Sequence, residues 1–160
     1  MSNLQPPTED YICNESSLRA LVRTIYLSKG IFTLILVRCN YVDLRKDALQ
    51  KLQKQFPDIL VLSLSNAVKQ LYLVIQKELK EQRDLDALMV LGLESVDEIE
   101  DLLVSTNLLR NQFIHSFPFP LMLWVNDDVI HKLVKVTPDF HNWGHPINLH
   151  YTEDLISFLR

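Results

Sequence analysis

Ile31-Phe32-Thr33-Leu34-Ile35-Leu36-Val37, running on into Arg38-Cys39-Asn40-Tyr41-Val42-Asp43, is the stretch that decides the fold. The apolar run is too short for a buried helix and is rich in β-branched and aromatic residues. Its hydrophobicity is continuous rather than alternating, so both faces are covered, as in a central parallel strand. Upstream, Leu18, Leu21, Val22, Ile25 and Tyr26 repeat at helical spacing. Asn14, Ser16 and Ser17 are candidate N-caps for that helix, and Lys29-Gly30 stops it. Downstream, the pattern predicts a helix over about 42–55, with Asp43 as its cap and Leu44, Ala48, Leu52 and Phe56 facing inward.

The same alternation continues to the end of the chain. Strands are expected over 59–64, 87–93 and 119–125, with a fifth, more exposed one over 147–151. Helices are expected over 66–82, over 97–115 with a break near Ser105-Thr106-Asn107, and from Asn126 or Asp127 through Val136. A last short helix would begin at Thr152, and 138–144 reads as a packed aromatic loop. Apolar strands joined by helix-length crossovers specify a three-layer α-β-α fold around a mostly parallel sheet of about five strands. Residues 1–13 lack periodicity and read as a flexible tail, leaving 14–160 as a single α/β domain.

The chain has 160 residues, 48% hydrophobic and 22% charged, which suffices for a sizeable core. Sixteen basic residues against twenty acidic ones give a net charge of −4. That balance offers no electrostatic reason to seek nucleic acid or anionic membrane. The first ten residues are polar and do not resemble a signal peptide, and no apolar run approaches the ~20 residues that span a bilayer. A cytoplasmic location is expected, with Cys13 and Cys39 as free thiols.

In open parallel sheets, ligands bind at the carboxyl ends of the strands. The first strand delivers Arg38, Cys39, Asn40 and Tyr41 there, the third delivers Glu94, and the fourth delivers Asn126 and Asp127. A phosphate loop at the first of these exits needs several glycines so that backbone amides can approach an anion. The chain has only Gly30, Gly92 and Gly144, none of them at that exit, and Asp43 would occupy the positive end of the helix. Glu94 is placed like the acid that closes a metal-binding strand, but no lysine and phosphate loop stand opposite it. Cys39 lacks a base nearby in sequence, and His141, His145 and His150 match no standard zinc spacing. No catalytic set, metal site or cofactor is therefore expected.

Several segments in order resemble the inactive STAND-type domain, a degenerate P-loop NTPase-like unit of bacterial multidomain signalling and defence proteins. They are the 32–38 strand with its Arg38-Cys39-Asn40 exit, the 87–94 strand, and Asn107-Leu108-Leu109-Arg110-Asn111, where Asn111 replaces the usual acid. Leu121-Met122-Leu123-Trp124-Val125 and Pro138-Asp139-Phe140-His141-Asn142-Trp143 complete the resemblance, with His141 where an aromatic is usual. It implies a P-loop-like sheet without the phosphate loop, used for regulation or protein interaction rather than hydrolysis.

Two functions compete. One is a non-catalytic module that binds another protein or domain, or a second copy of itself. Its candidate contacts are an outward basic face of Arg45, Lys46, Lys51 and Lys54, and the aromatic pair Phe140 and Trp143. The other is an enzyme or ligand-binding domain with a non-standard crevice built from Arg38, Asn40, Glu94, Asn107 and Arg110. A crevice plugged by Tyr41 or Trp124 would weigh against the second.

Overall fold

The computed structural model describes residues 15–82 and 84–151. The expected tail, the Asn14 cap and the helix from Thr152 lie outside the described residues. Five strands, β1 (Thr33–Arg38), β2 (Ile59–Ser63), β3 (Ala87–Leu91), β4 (Pro120–Val125) and β5 (His145–Asn148), form one sheet in the order β2-β3-β4-β1-β5. Every pairing in it is parallel. Helices α1 (Glu15–Leu27) and α2 (Val42–Gln55) cover one face. The other face carries α3 (Leu71–Leu79), α4 (Ile99–Leu108), α5 (Arg110–Ser116), α6 (Asp127–Val136) and α7 (Pro138–Trp143). This is the three-layer α/β architecture that the apolar runs imply.

Each central strand serves both layers because its side chains alternate. Ile35, Val37, Met89, Met122 and Trp124 pack beneath α1 and α2 with Leu21, Ile25, Leu44 and Leu52. Leu34, Leu36, Leu88, Val90, Leu121 and Leu123 face the other way, onto Ile75, Leu102, Phe113, Leu133 and Phe140. Burial on both faces is why β1, β3 and β4 read as continuous rather than alternating hydrophobic runs.

Several boundaries differ from the expectation, each for a local reason. Ile31 is exposed and donates its N–H to Ser28 O at 3.0 Å, so a turn delays β1 to Thr33. Asn66 lies ahead of α3, which begins only at Leu71. Its Nδ2 donates to Asp97 Oδ2 at 3.3 Å, and Asp97 N–H donates to Asn66 O at 2.9 Å, so 66–70 is tied to the start of the next crossover. Lys80, at φ 57°, stops α3 short of 82. The long helix breaks at Leu109 into α4 and α5, and the 138–143 segment is a helix with Pro138 in its first turn rather than a loop. α2 is preceded by Tyr41 with no side-chain cap, so Asp43 sits in the first turn instead of capping it.

Candidate functional site at the divergence of two strands

From β1 the chain crosses β4 and β3 to reach the far edge at β2, carrying α2 over one face. From β4 it crosses β1 to reach β5, carrying α6 and α7 over the opposite face. The adjacent carboxyl ends of β1 and β4 therefore send the chain to opposite sides, and such a divergence opens a crevice. A crevice of about 150 Å³ lies there, lined by Cys39, Asn40, Arg45, Glu94, Trp124 and Asn126 among others.

The polar groups that reach this end are largely paired with one another. Arg45 Nη1 on α2 lies 3.1 Å from Glu94 Oε2 in the turn after β3. Arg38, at the end of β1, donates from Nε to Asp127 Oδ1 in the first turn of α6. That bond holds the Asp127 carboxyl below the usual range and raises the Arg38 pKa in turn. Asn40 Oδ1 accepts the Asp127 N–H at 2.9 Å, and Asn126 Oδ1 accepts the Val129 N–H at 2.9 Å, so both amides hold the start of α6. Gly92, at φ 91°, turns the chain out of β3 and brings Glu94 to the crevice.

Cys39 is buried, and its thiol donates to Tyr41 O at 3.3 Å. Burial pushes its pKa up, which keeps it a neutral thiol instead of the thiolate a nucleophile requires. Only Cys39, Asn40 and Tyr41 separate β1 from α2, too few to wrap a phosphate group, and none is glycine. Trp124 forms part of the crevice wall and is 1% exposed. Its indole Nε1 has no hydrogen-bond partner among the described residues. Tyr41 also lines the crevice, and it is 48% exposed with its ring centroid 4.7 Å from that of Tyr151.

The structure brings Asn40 and Glu94 to the crevice and leaves Arg38 at the same strand ends, paired with Asp127 and outside the lining, but it does not bring Asn107 and Arg110 there. Those two lie where α4 passes into α5, on the approach to the start of β4, at the opposite end of the strands. Arg110 Nη1 donates to Asn107 O at 3.0 Å and to its Oδ1 at 3.3 Å, and its guanidinium sits 5.8 Å from the Trp143 ring centroid. The five-residue crevice set is corrected accordingly.

The basic face is also smaller than its spacing suggests. Arg45 turns into the crevice, and Lys51 Nζ lies 3.1 Å from the buried Asp47 Oδ2. The contact is a charge pairing rather than an aligned hydrogen bond, since Asp47 Oδ2 otherwise lacks one. Lys46 and Lys54 remain exposed. Phe140 is wholly buried and offers no contact surface, while Trp143 is half-buried against the core beneath Arg110.

Asp127 is the functional-end residue whose role the sequence hides. Its pairing with Arg38 depends on β1 and β4 being neighbours, and spacing along the chain does not report strand order. Among the described residues, no group of three or more His, Cys, Asp or Glu is placed to hold a metal ion. Among them too, no helix is long and apolar enough to cross a membrane. Compared with protein-family models, with curated proteins and with solved structures, the chain matches none.

Proposed function

We propose that this chain is a non-catalytic α/β module that acts through protein–protein contact, as a regulatory or assembly domain of the inactive STAND type. The observation that carries the reading is the connection from β1 to α2: three residues without glycine, at the strand end where a P-loop protein would cradle phosphate. The flanking charges are spent on internal pairs, Arg38 with Asp127 and Arg45 with Glu94. The crevice is smaller than the ~300 Å³ at which ligand pockets begin. A bacterial signalling or defence setting and a cytoplasmic location belong to this proposal through the sequence resemblance alone.

Contact surface is available elsewhere. Tyr26, Leu27 and Ile31, at the join of α1 and β1, are 70%, 74% and 61% exposed. Large apolar side chains clustered this way mark interaction surfaces more often than solvent faces. Lys46 and Lys54 offer a second, basic contact on α2.

The test has two arms. ATP or GTP with Mg²⁺ should give no thermal shift and no turnover, and hydrolysis abolished by Glu94→Gln would overturn the reading. A tagged chain should retain a protein partner that Tyr26→Ser/Leu27→Ser or Lys46→Glu/Lys54→Glu releases. Retention unchanged by both variants removes these surfaces from the proposal.

One observation favours a second reading, a binding crevice for a small molecule. The unpartnered Trp124 Nε1 is a donor at the crevice wall, and a buried indole N–H normally has an acceptor. In a Trp143→Phe background, a change in Trp124 fluorescence on adding a small acceptor-bearing ligand would favour it over the first.

A further inference from the structure

The two edges of the sheet are protected very differently. β5 is short, mostly exposed, and carries Pro146 within it, devices that discourage strand pairing. β2 is Ile59-Leu60-Val61-Leu62-Ser63, with no proline, charge or bulge, and among the described residues it pairs only with β3. Its first three residues are half-buried, whereas the same positions of β3 and β4 are fully buried.

We propose that the β2 edge is an interface for a second copy of this chain, joined antiparallel across a two-fold axis through Val61. The backbone supports that register. Leu64 donates its N–H to Leu91 O at 2.9 Å, so by the two-residue period Leu60 and Leu62 also direct their backbone groups at β3. Ile59, Val61 and Ser63 therefore turn theirs outward. With Val61 opposite Val61, Ile59 stands opposite Ser63, and every outward residue meets another outward residue. That is the condition for a hydrogen-bonded antiparallel pair.

Side chains agree with the backbone. Residues directly opposite one another share a face, and Ile59 and Val61 both belong to the layer beneath α1 and α2. Leu60 and Leu62, which would face each other, both belong to the opposite layer. The two hydrophobic layers would thus run on through the axis without changing sides. Charge is also compatible. Asp58, just before the strand, stands directly opposite the other copy's Leu64, so no charged residue faces another across the pair. A two-fold makes the same patch serve both subunits, so self-complementarity of a single strand is sufficient. This inference goes beyond the proposed function and does not depend on it, since nucleotide turnover neither requires nor excludes it.

The full chain is examined by sedimentation velocity across a dilution series up to roughly 100 μM, a range that reveals micromolar dimers. A dimer is expected. Val61→Lys and Val61→Glu should each be monomeric, because the axis sets like charges face to face, and an equimolar mixture should restore the dimer. Ser63→Pro is the independent variant: its N–H points outward, so proline removes a bond between copies without touching the β2–β3 ladder. Far-UV circular dichroism confirms folding of each. A wild-type chain that stays monomeric overturns the proposal. So does a dimer that persists in folded Val61→Lys or Ser63→Pro, or a charge-swapped mixture that remains monomeric.

Discussion

Replacing Gly92 by alanine isolates how tightly the third strand exit is built. The residue sits at φ 91°, and a Cβ there would lie 3.0 Å from Leu64 O and 3.3 Å from Leu64 N. Both neighbours are backbone, and Leu64 is held by its N–H bond to Leu91 O, so neither withdraws without stretching the β2–β3 ladder. Gly30 provides the internal control. It also has a positive φ, 76°, but a Cβ there would meet nothing within 4 Å. The left-handed conformation costs alanine roughly 1–2 kcal/mol. Stiffening of the unfolded chain returns about 0.4–1 kcal/mol of that. Gly30→Ala should therefore lose about 0.5–1 kcal/mol. Gly92→Ala adds a packing clash of about 1–3 kcal/mol, for a total of about 1.5–4. At about 2–4 °C per kcal/mol for a domain of this size, Gly92→Ala should melt roughly 10 °C lower and Gly30→Ala only a few degrees lower. Urea and thermal unfolding of both variants measure this. Equal losses would refute the close approach to Leu64 as the cause.

Other outcomes follow from the same geometry. Asn126→Ala should cost about 1 kcal/mol in urea unfolding through loss of the Val129 cap, whereas Asp43→Asn should stay within about 0.5 kcal/mol because Asp43 caps nothing. The Asp127 carboxyl is held low by Arg38 in the folded state. Its contribution is complete above the unfolded carboxylate range and is lost as pH falls through the lowered folded value, so Asp127→Asn should flatten the acid limb of stability against pH. In a Cys13→Ser background, Cys39 should react slowly with a thiol reagent at neutral pH when folded and quickly in denaturant. Phe140→Ala should cost about 3–5 kcal/mol in the same unfolding assay, while Leu27→Ser, at a 74% exposed position, should stay within about 0.5 kcal/mol.

The central strands were legible because burial on both faces leaves a continuous apolar run, and the glycine-free exit of β1 was legible because it is a local feature. What stayed hidden depends on residues distant in sequence. Arg45 has the spacing of an outward lysine-like residue, yet the crossing of α2 over β3 brings it to Glu94. Asn66 has the composition of a helix cap but finds Asp97 instead. Asn107 and Arg110 looked available to the crevice only while the helix before β4 had no assigned direction relative to the strand ends. Local patterns specify elements, whereas strand order specifies which side chains meet, and order is carried by packing between elements.

The placement of β1 has a consequence for how the chain acquires its structure. Its strand neighbours are β4 and β5, both encoded in the last third of the sequence. During synthesis, β2 and β3 can pair early, while β1 waits for residues 120–125 to emerge. Contacts that close so late raise the contact order and slow folding. Until then the Thr33–Arg38 strand, the most continuously apolar segment near the amino end, is open on both sides and prone to pair with other chains. A fragment ending before β4 should therefore aggregate rather than fold, which makes the last third of the chain a condition for the solubility of the first.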